Sequence, residues 1–138
     1  MVHRGTIEVA TRGPGFYEIT SELARIVRDS AVADGIAVVF CRHTSASLLI
    51  QENADPTVQR DFLAFFERLV PAGDPLFRHD SEGDDDMPAH VKAALTHTSE
   101  VIPVGDGALQ LGTWQGLYLV EHRRASHRRR IDVRVLGE

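Results

Sequence analysis

The chain has one cysteine, Cys41, among 138 residues. That count excludes an internal disulfide framework and a cysteine-rich zinc finger. Long apolar runs are missing as well, since none approaches the ~20 residues that cross a bilayer. The opening stretch "MVHRGTIEVATRG" lacks the apolar core of an export signal. A basic surplus is also absent: 15 Lys and Arg stand against 20 Asp and Glu, for a net charge of −5. A general nucleic-acid binder needs the opposite balance to neutralise phosphates. These absences set the expectation of a cytoplasmic protein with neither a membrane nor a nucleic-acid partner.

What is present reads as one globular domain over 1–138. Hydrophobic content is 43% and charged content 25%, the balance of an ordinary folded chain. "TIEVATR" alternates as a half-buried strand, "GPG" turns, and "FYEI" is a second short strand. Thr20 or Ser21 then caps a helix with Leu23, Ile26, Val27 and Ala31 at helical spacing. "GIAVVFCRH" is a strand apolar enough to be buried on both faces, and a further strand runs on from it. Asp55-Pro56 opens a second helix with Val58, Phe62, Phe65, Phe66 and Leu69 as its stripe. Asp85 or Asp86 opens a third, with Met87, Val91, Ala94 and Leu95 expected to face inward. "SEVIPV", "ALQLGTWQGLYLVEH" (108–122, bent at its glycines) and "RIDVRVL" complete the chain as strands. The order ββ-α-ββ-αα-βββ groups strands instead of alternating them with helices. That predicts an α+β fold: seven strands in a two-layer, largely antiparallel sheet or sandwich, with three helices.

Polar clusters interrupt this pattern. "CRHTSASLLIQENADPTV", residues 41–58, places titratable and hydrogen-bonding groups at both ends of an apolar run. If 41–53 is extended, Cys41, His43, Ser45 and Ser47 share a face, with same-face neighbours about 6.5–7 Å apart. His43 then needs a bend in the chain to act on Ser45 as a base. "RHDSEGDDDMPAH", residues 78–90, sets His79 and His90 around a run of carboxylates. Those carboxylates either cap a helix or hold imidazoles in a metal or acid–base site. Gly112 and Gly116 in "LGTWQG" mark a bulge or a close approach within a strand. "RRASHRRR" concentrates five of the 15 Lys and Arg residues, as a solvated turn or as a phosphate contact.

Taken together, "HTSASL", "NADPTV", "EGDDDMPAH", "GTWQG" and "EHR…RRR" resemble the YjbQ family, often labelled secondary thiamine-phosphate synthase. The resemblance runs over essentially the whole length. It implies seven strands in two layers with three helices, assembled as a homotrimer. Family motif residues fall on His43, Thr44, Ser45, Asn53, Asp55, His79, Asp85, His90, Gly112, Trp114, Gln115, Glu121 and Arg130. Among them His43, Ser45, Asp85 and Glu121 are expected to be catalytic, and Thr44, Asn53, Trp114, Gln115 and Arg130 to bind substrate. His43, His79 and His90 are expected to converge on a divalent metal, zinc first and magnesium as the alternative for pyrophosphate chemistry. Both ends of the 41–58 run, the acidic loop and the Trp-Gln bend are expected to wall one pocket, with Arg130 and Glu121 as a charged pair beside the metal.

The family association implies a weak side activity that joins a pyrimidine diphosphate to a thiazole phosphate, giving thiamine phosphate and pyrophosphate, with a native reaction that can differ. Such a transfer needs positive charge on the leaving pyrophosphate. Histidines for a metal and several arginines are present, but no Lys-bearing phosphate loop. The expectation is therefore a small-molecule enzyme acting on a phosphorylated substrate at a His/Asp metal site. The alternative is a non-catalytic trimeric module that binds a metal or an anion.

Overall fold

The computed structural model describes residues 1–138. The N-terminal alternation becomes β1 (Val2–Arg12), and the short β2 (Gly15–Glu18) follows the GPG turn. α1 (Thr20–Ser30) buries Leu23 and Val27, two of the positions at helical spacing. β3 (Gly35–Cys41) and β4 (Ala46–Glu52) lead to α2 (Pro56–Leu69) and α3 (Asp86–Leu95). β5 (Ser99–Gly105), β6 (Ala108–Leu109), β7 (Gln115–Glu121) and β8 (Ser126–Gly137) close the chain.

The α+β class holds, with three helices and eight strands instead of seven. The additional strand arises because 108–122 is not one bent strand. The Gln115 N–H donates to Gly112 O at 3.0 Å, and the Gly112 N–H to Gln115 Oε1 at 2.8 Å. That tight turn sends β6 and β7 into different sheets.

Sheet A has the order β1-β8-β3-β5-β6 and sheet B the order β2-β7-β4, every pairing antiparallel. Alternation along each strand sends apolar side chains between the sheets. Val39, Ile131, Val133 and Val135 of sheet A share that core with Leu48, Leu117 and Leu119 of sheet B. Cys41 belongs to it as a small buried hydrophobe, its thiol pushed up by desolvation. α1 packs along β1, β6, β7 and β8 and supplies Leu23 and Val27.

α2 covers the other side of sheet B, where Phe62 meets Phe16 and Phe66 meets His122. Asp55 caps it as expected, accepting from the Thr57 N–H at 2.9 Å. The expected five-residue stripe is not one buried face, because Phe65 and Leu69 remain half exposed. α3 is rotated relative to the expectation: it buries Asp86, Pro88, Ala89 and Lys92, while Leu95 lies 59% exposed. Polar side chains occupy its inner face because each finds a partner there, Lys92 on Glu67 and Asp86 on Arg123.

Residues 41–53 are not continuously extended. β3 ends at Cys41 in sheet A, residues 42–45 cross over, and β4 begins at Ala46 in sheet B. The outer face of sheet A carries Ile36, Phe40, Val101 and Leu136, all exposed. No helix is long and apolar enough to cross a membrane.

Candidate metal centre

α3 builds the site from its first turn. Asp86 and His90 stand four residues apart, which places them on one face of the helix. His79, from the loop before α3, completes the group. Its Nε2 lies 2.7 Å from Asp86 Oδ2, and His90 Nε2 lies 3.3 Å from the same oxygen. One donor atom from each of the three residues falls within 4.8 Å of the others.

The donor set fits a cation. His90 Nδ1 is 2.9 Å from Thr44 O, and a carbonyl only accepts, so Nδ1 carries a proton. The other nitrogen of that ring then faces a carboxylate oxygen. Two lone pairs in that arrangement need a second ring proton or a cation between them. Burial would push the Asp86 carboxyl up, but the His79 hydrogen bond and the charges of His90 and Arg123 outweigh it and hold it low. Asp86 is 1% exposed, so its charge is committed to these neighbours.

His43 lies outside this trio. Its Nε2 accepts the Arg130 backbone N–H at 2.8 Å, which leaves Nδ1 as the protonated nitrogen. Burial, then the Arg129 charge, lowers its pKa and keeps the ring neutral. His43 and Thr44 nevertheless line one open hollow with His90, Ala46 and Ala94. The expected His43–His79–His90 triad is thus replaced by His79–Asp86–His90, with His43 beside it. Asp86, not Asp85, is the carboxylate of the group. The Asp85 carboxyl is held down, against burial, by the Arg124 N–H and by Arg123.

Two further expected catalytic groups are buried in an ion-pair network. Glu121 is fully buried; its Oε1 accepts from Arg129 Nε at 2.7 Å and from the Thr11 hydroxyl at 2.6 Å. Ser45 Oγ accepts from Arg129 Nη2 at 3.0 Å. Arg130, the expected partner of Glu121, points to the opposite face of β8 and pairs with Asp132 at 3.2 Å. Successive strand residues face opposite sides, so a shift of one residue exchanges the buried and exposed arginine.

Asn53, Trp114 and Gln115 form a separate cluster. Asn53 takes the backbone of that turn, its N–H donating to Trp114 O at 3.0 Å and its Nδ2 to Gln115 O at 3.3 Å. Trp114 stands 64% exposed. In the ladder Ala46 faces Glu121 and Glu52 faces Gln115. The length of β4, at about 3.3 Å per residue, therefore keeps this cluster away from the histidines. Within one chain, the residues expected to wall a single pocket fall into two separate clusters.

Sequence reasoning missed Arg123, Arg129 and His122. His122 Nε2 lies 2.9 Å from Ser47 Oγ, which lies 2.6 Å from Thr96 Oγ1. The i,i+4 spacing of Asp86 and His90 was a usable signal for the metal group. Nothing local in the sequence marked Arg129 against its two arginine neighbours.

The sequence and its two-sheet α+β sandwich match a known family. The family described as UPF0047 protein YjbQ-like matches residues 5–138. A UPF0047 protein of Synechocystis sp. is 50% identical over 99% of this chain and 92% of its own length. The UPF0047 protein YjbQ of Escherichia coli O157:H7 is 42% identical over the whole of both chains. The crystal structure of a YbjQ-like protein of unknown function from Sulfolobus solfataricus P2 superposes with a TM-score of 0.92. It is 29% identical, and the match covers 100% of this chain and 99% of that one. The chain belongs to the YjbQ/UPF0047 family.

Proposed function

We propose that the protein is a cytoplasmic small-molecule enzyme that acts on a phosphorylated substrate at a divalent-metal centre formed by His79, Asp86 and His90. The convergence of two imidazoles on one buried carboxylate oxygen carries this reading. Two imidazoles and a carboxylate form a set that zinc accepts, with a position left open. Magnesium prefers oxygen ligands and is the weaker choice. When bound, the metal supplies positive charge to a phosphate or pyrophosphate oxygen. Thr44 O fixes the His90 tautomer, and neutral His43 offers its remaining N–H within the adjoining hollow. Thiamine phosphate formation from the pyrimidine diphosphate and the thiazole phosphate is the first reaction to assay.

Metal analysis of the purified protein tests the centre. The wild-type chain should retain about one zinc and His90→Ala should lose it, the single missing ligand lowering affinity at least as much as the 10–100-fold of an outer-sphere change. Equal metal content in the two proteins, or none in either, would remove the site.

A second reading, a binding module without turnover, draws support from Ser45 and Glu121. Both are buried and engaged by Arg129, which withdraws two of the four expected catalytic groups. Zinc uptake with no turnover in a substrate screen is the outcome that favours it.

We further propose a homotrimer. The exposed apolar row on the outer face of sheet A supports self-association, since such a patch on a soluble chain marks an interaction surface. Sedimentation equilibrium at micromolar concentration should return three chain masses, and a mass near 15.3 kDa would refute the assembly.

A further inference from the structure

We propose that Arg123, steered by the buried Glu121–Arg129 pair, is a positioning residue that aims Asp86 into the metal centre. The inference rests on the metal reading above. Arg123 Nη1 donates to Asp86 Oδ1 at 2.8 Å. That occupies one carboxylate oxygen and leaves Oδ2 for the two imidazoles. The other two nitrogens also donate, Nε to Asp85 Oδ2 at 3.2 Å and Nη2 to Glu82 O at 2.9 Å. With a side chain 13% exposed and each of its three nitrogens donating to a protein acceptor, Arg123 supports a ligand.

Its own placement has an identifiable cause. The backbone N–H groups of His122 and Arg123 both donate to Glu121 Oε2, at 3.0 and 3.1 Å. Glu121 is gripped in turn by Arg129, whose Nη2 reaches Ser45 Oγ. Ser45 follows Thr44, and the Thr44 carbonyl holds His90. These hydrogen bonds, the covalent chain between them and the 3.3 Å approach of His90 to Asp86 close a ring. It runs from Asp86 through Arg123, Glu121, Arg129 and the 44–45 backbone to His90, and back to Asp86. Both metal-facing side chains of α3 are tied to one buried pair on β7 and β8. Charges alternate along the ring, and no buried side-chain nitrogen or oxygen lacks a partner. A buried ion pair is weak evidence for stability in itself. Two backbone anchors that both lead to the ligands are evidence for orientation.

Cobalt(II) is the probe, because its visible spectrum reports coordination number as well as occupancy. Arg123→Met removes the fork and keeps the apolar stem. It is expected to weaken Co²⁺ binding about 10–100-fold in chelator competition, the usual scale for an outer-sphere partner, and to change the visible spectrum. Urea unfolding of the same samples shows whether the fold persists. Should Arg123→Met fail to fold, Arg123→Lys takes its place. A point charge cannot reproduce the three-way fork, so affinity should still fall several-fold with the spectrum altered. Wild-type affinity and an unchanged spectrum in a folded variant would overturn the positioning role and leave the metal centre standing. Absence of Co²⁺ uptake by the wild-type chain would overturn both.

Discussion

Glu121→Leu is expected to destabilise the protein by about 3–5 kcal/mol, the scale for removing one member of a buried ion pair. The side chain it removes accepts from Arg129, Thr11 and two backbone N–H groups, and no solvent reaches the gap. Arg129, 5% exposed at its side chain, is left with Ser45 as its remaining partner. An uncompensated guanidinium in the interior, more than the lost attraction, sets the magnitude. The double variant Glu121→Leu with Arg129→Met removes that charge and is expected to recover most of the loss, since apolar replacements of buried pairs are often neutral. Urea titration measures both. The midpoint should fall sharply in the single variant, with the slope unchanged. A single variant within about 1 kcal/mol of wild type, the range of an exposed pair, would show that the pair does not bear on stability.

Acid is expected to weaken the metal-free protein in a window set by His122. Desolvation by burial, reinforced by Lys92 and Arg129 and opposed by Glu121, lowers its pKa from 6.5 to about 4. Because the folded value lies below the unfolded one, the unfolded chain takes up the proton first as pH falls. Stability is therefore complete above pH 6.5 and declines between 6.5 and about 4. The expected loss is about 3 kcal/mol, from roughly 1.4 kcal/mol per pH unit over that interval. His43, lowered by its own burial and by Arg129, acts in the same direction. Asp85, Asp86 and Glu121 are all depressed, so their contributions disappear only at lower pH. His122→Asn should flatten urea midpoints across the 6.5-to-4 window. An equally steep decline in the variant would assign the acid sensitivity elsewhere.

The elements whose cause is local were legible in the sequence. Asp55 and Pro56 start α2 where their chemistry requires, and alternation marked β1 and β8. The family motifs likewise carried the class of fold. Facing directions failed wherever a polar residue is buried on a distant partner. Asp86 and Lys92 lie on the inner side of α3 because Arg123 and Glu67 meet them there, and no helical period contains that information. The choice between Arg129 and Arg130 is of the same kind. It is settled by Ile131, which pairs with Ile7 on one side and Cys41 on the other. The separation of Trp114 from the histidines follows from strand length, and it became visible only once β4 and β7 were paired.

β8 runs between β1 and β3 in sheet A, yet it is the last of the eight strands to leave the ribosome. During synthesis β1 has no ladder partner, since β8 is the one strand it pairs with. β3 meanwhile holds β5 on one side and an open edge on the other. Glu121 emerges before its counter-ion, because Arg129 travels on the same late strand. The nascent chain thus carries a sheet parted between β1 and β3, and unpaired edges of that kind invite pairing with neighbouring chains. Long-range ladders also close slowly. Pairing of β8 with β1 and β3 is therefore the event that joins the separate hairpins and helices around one shielded interior.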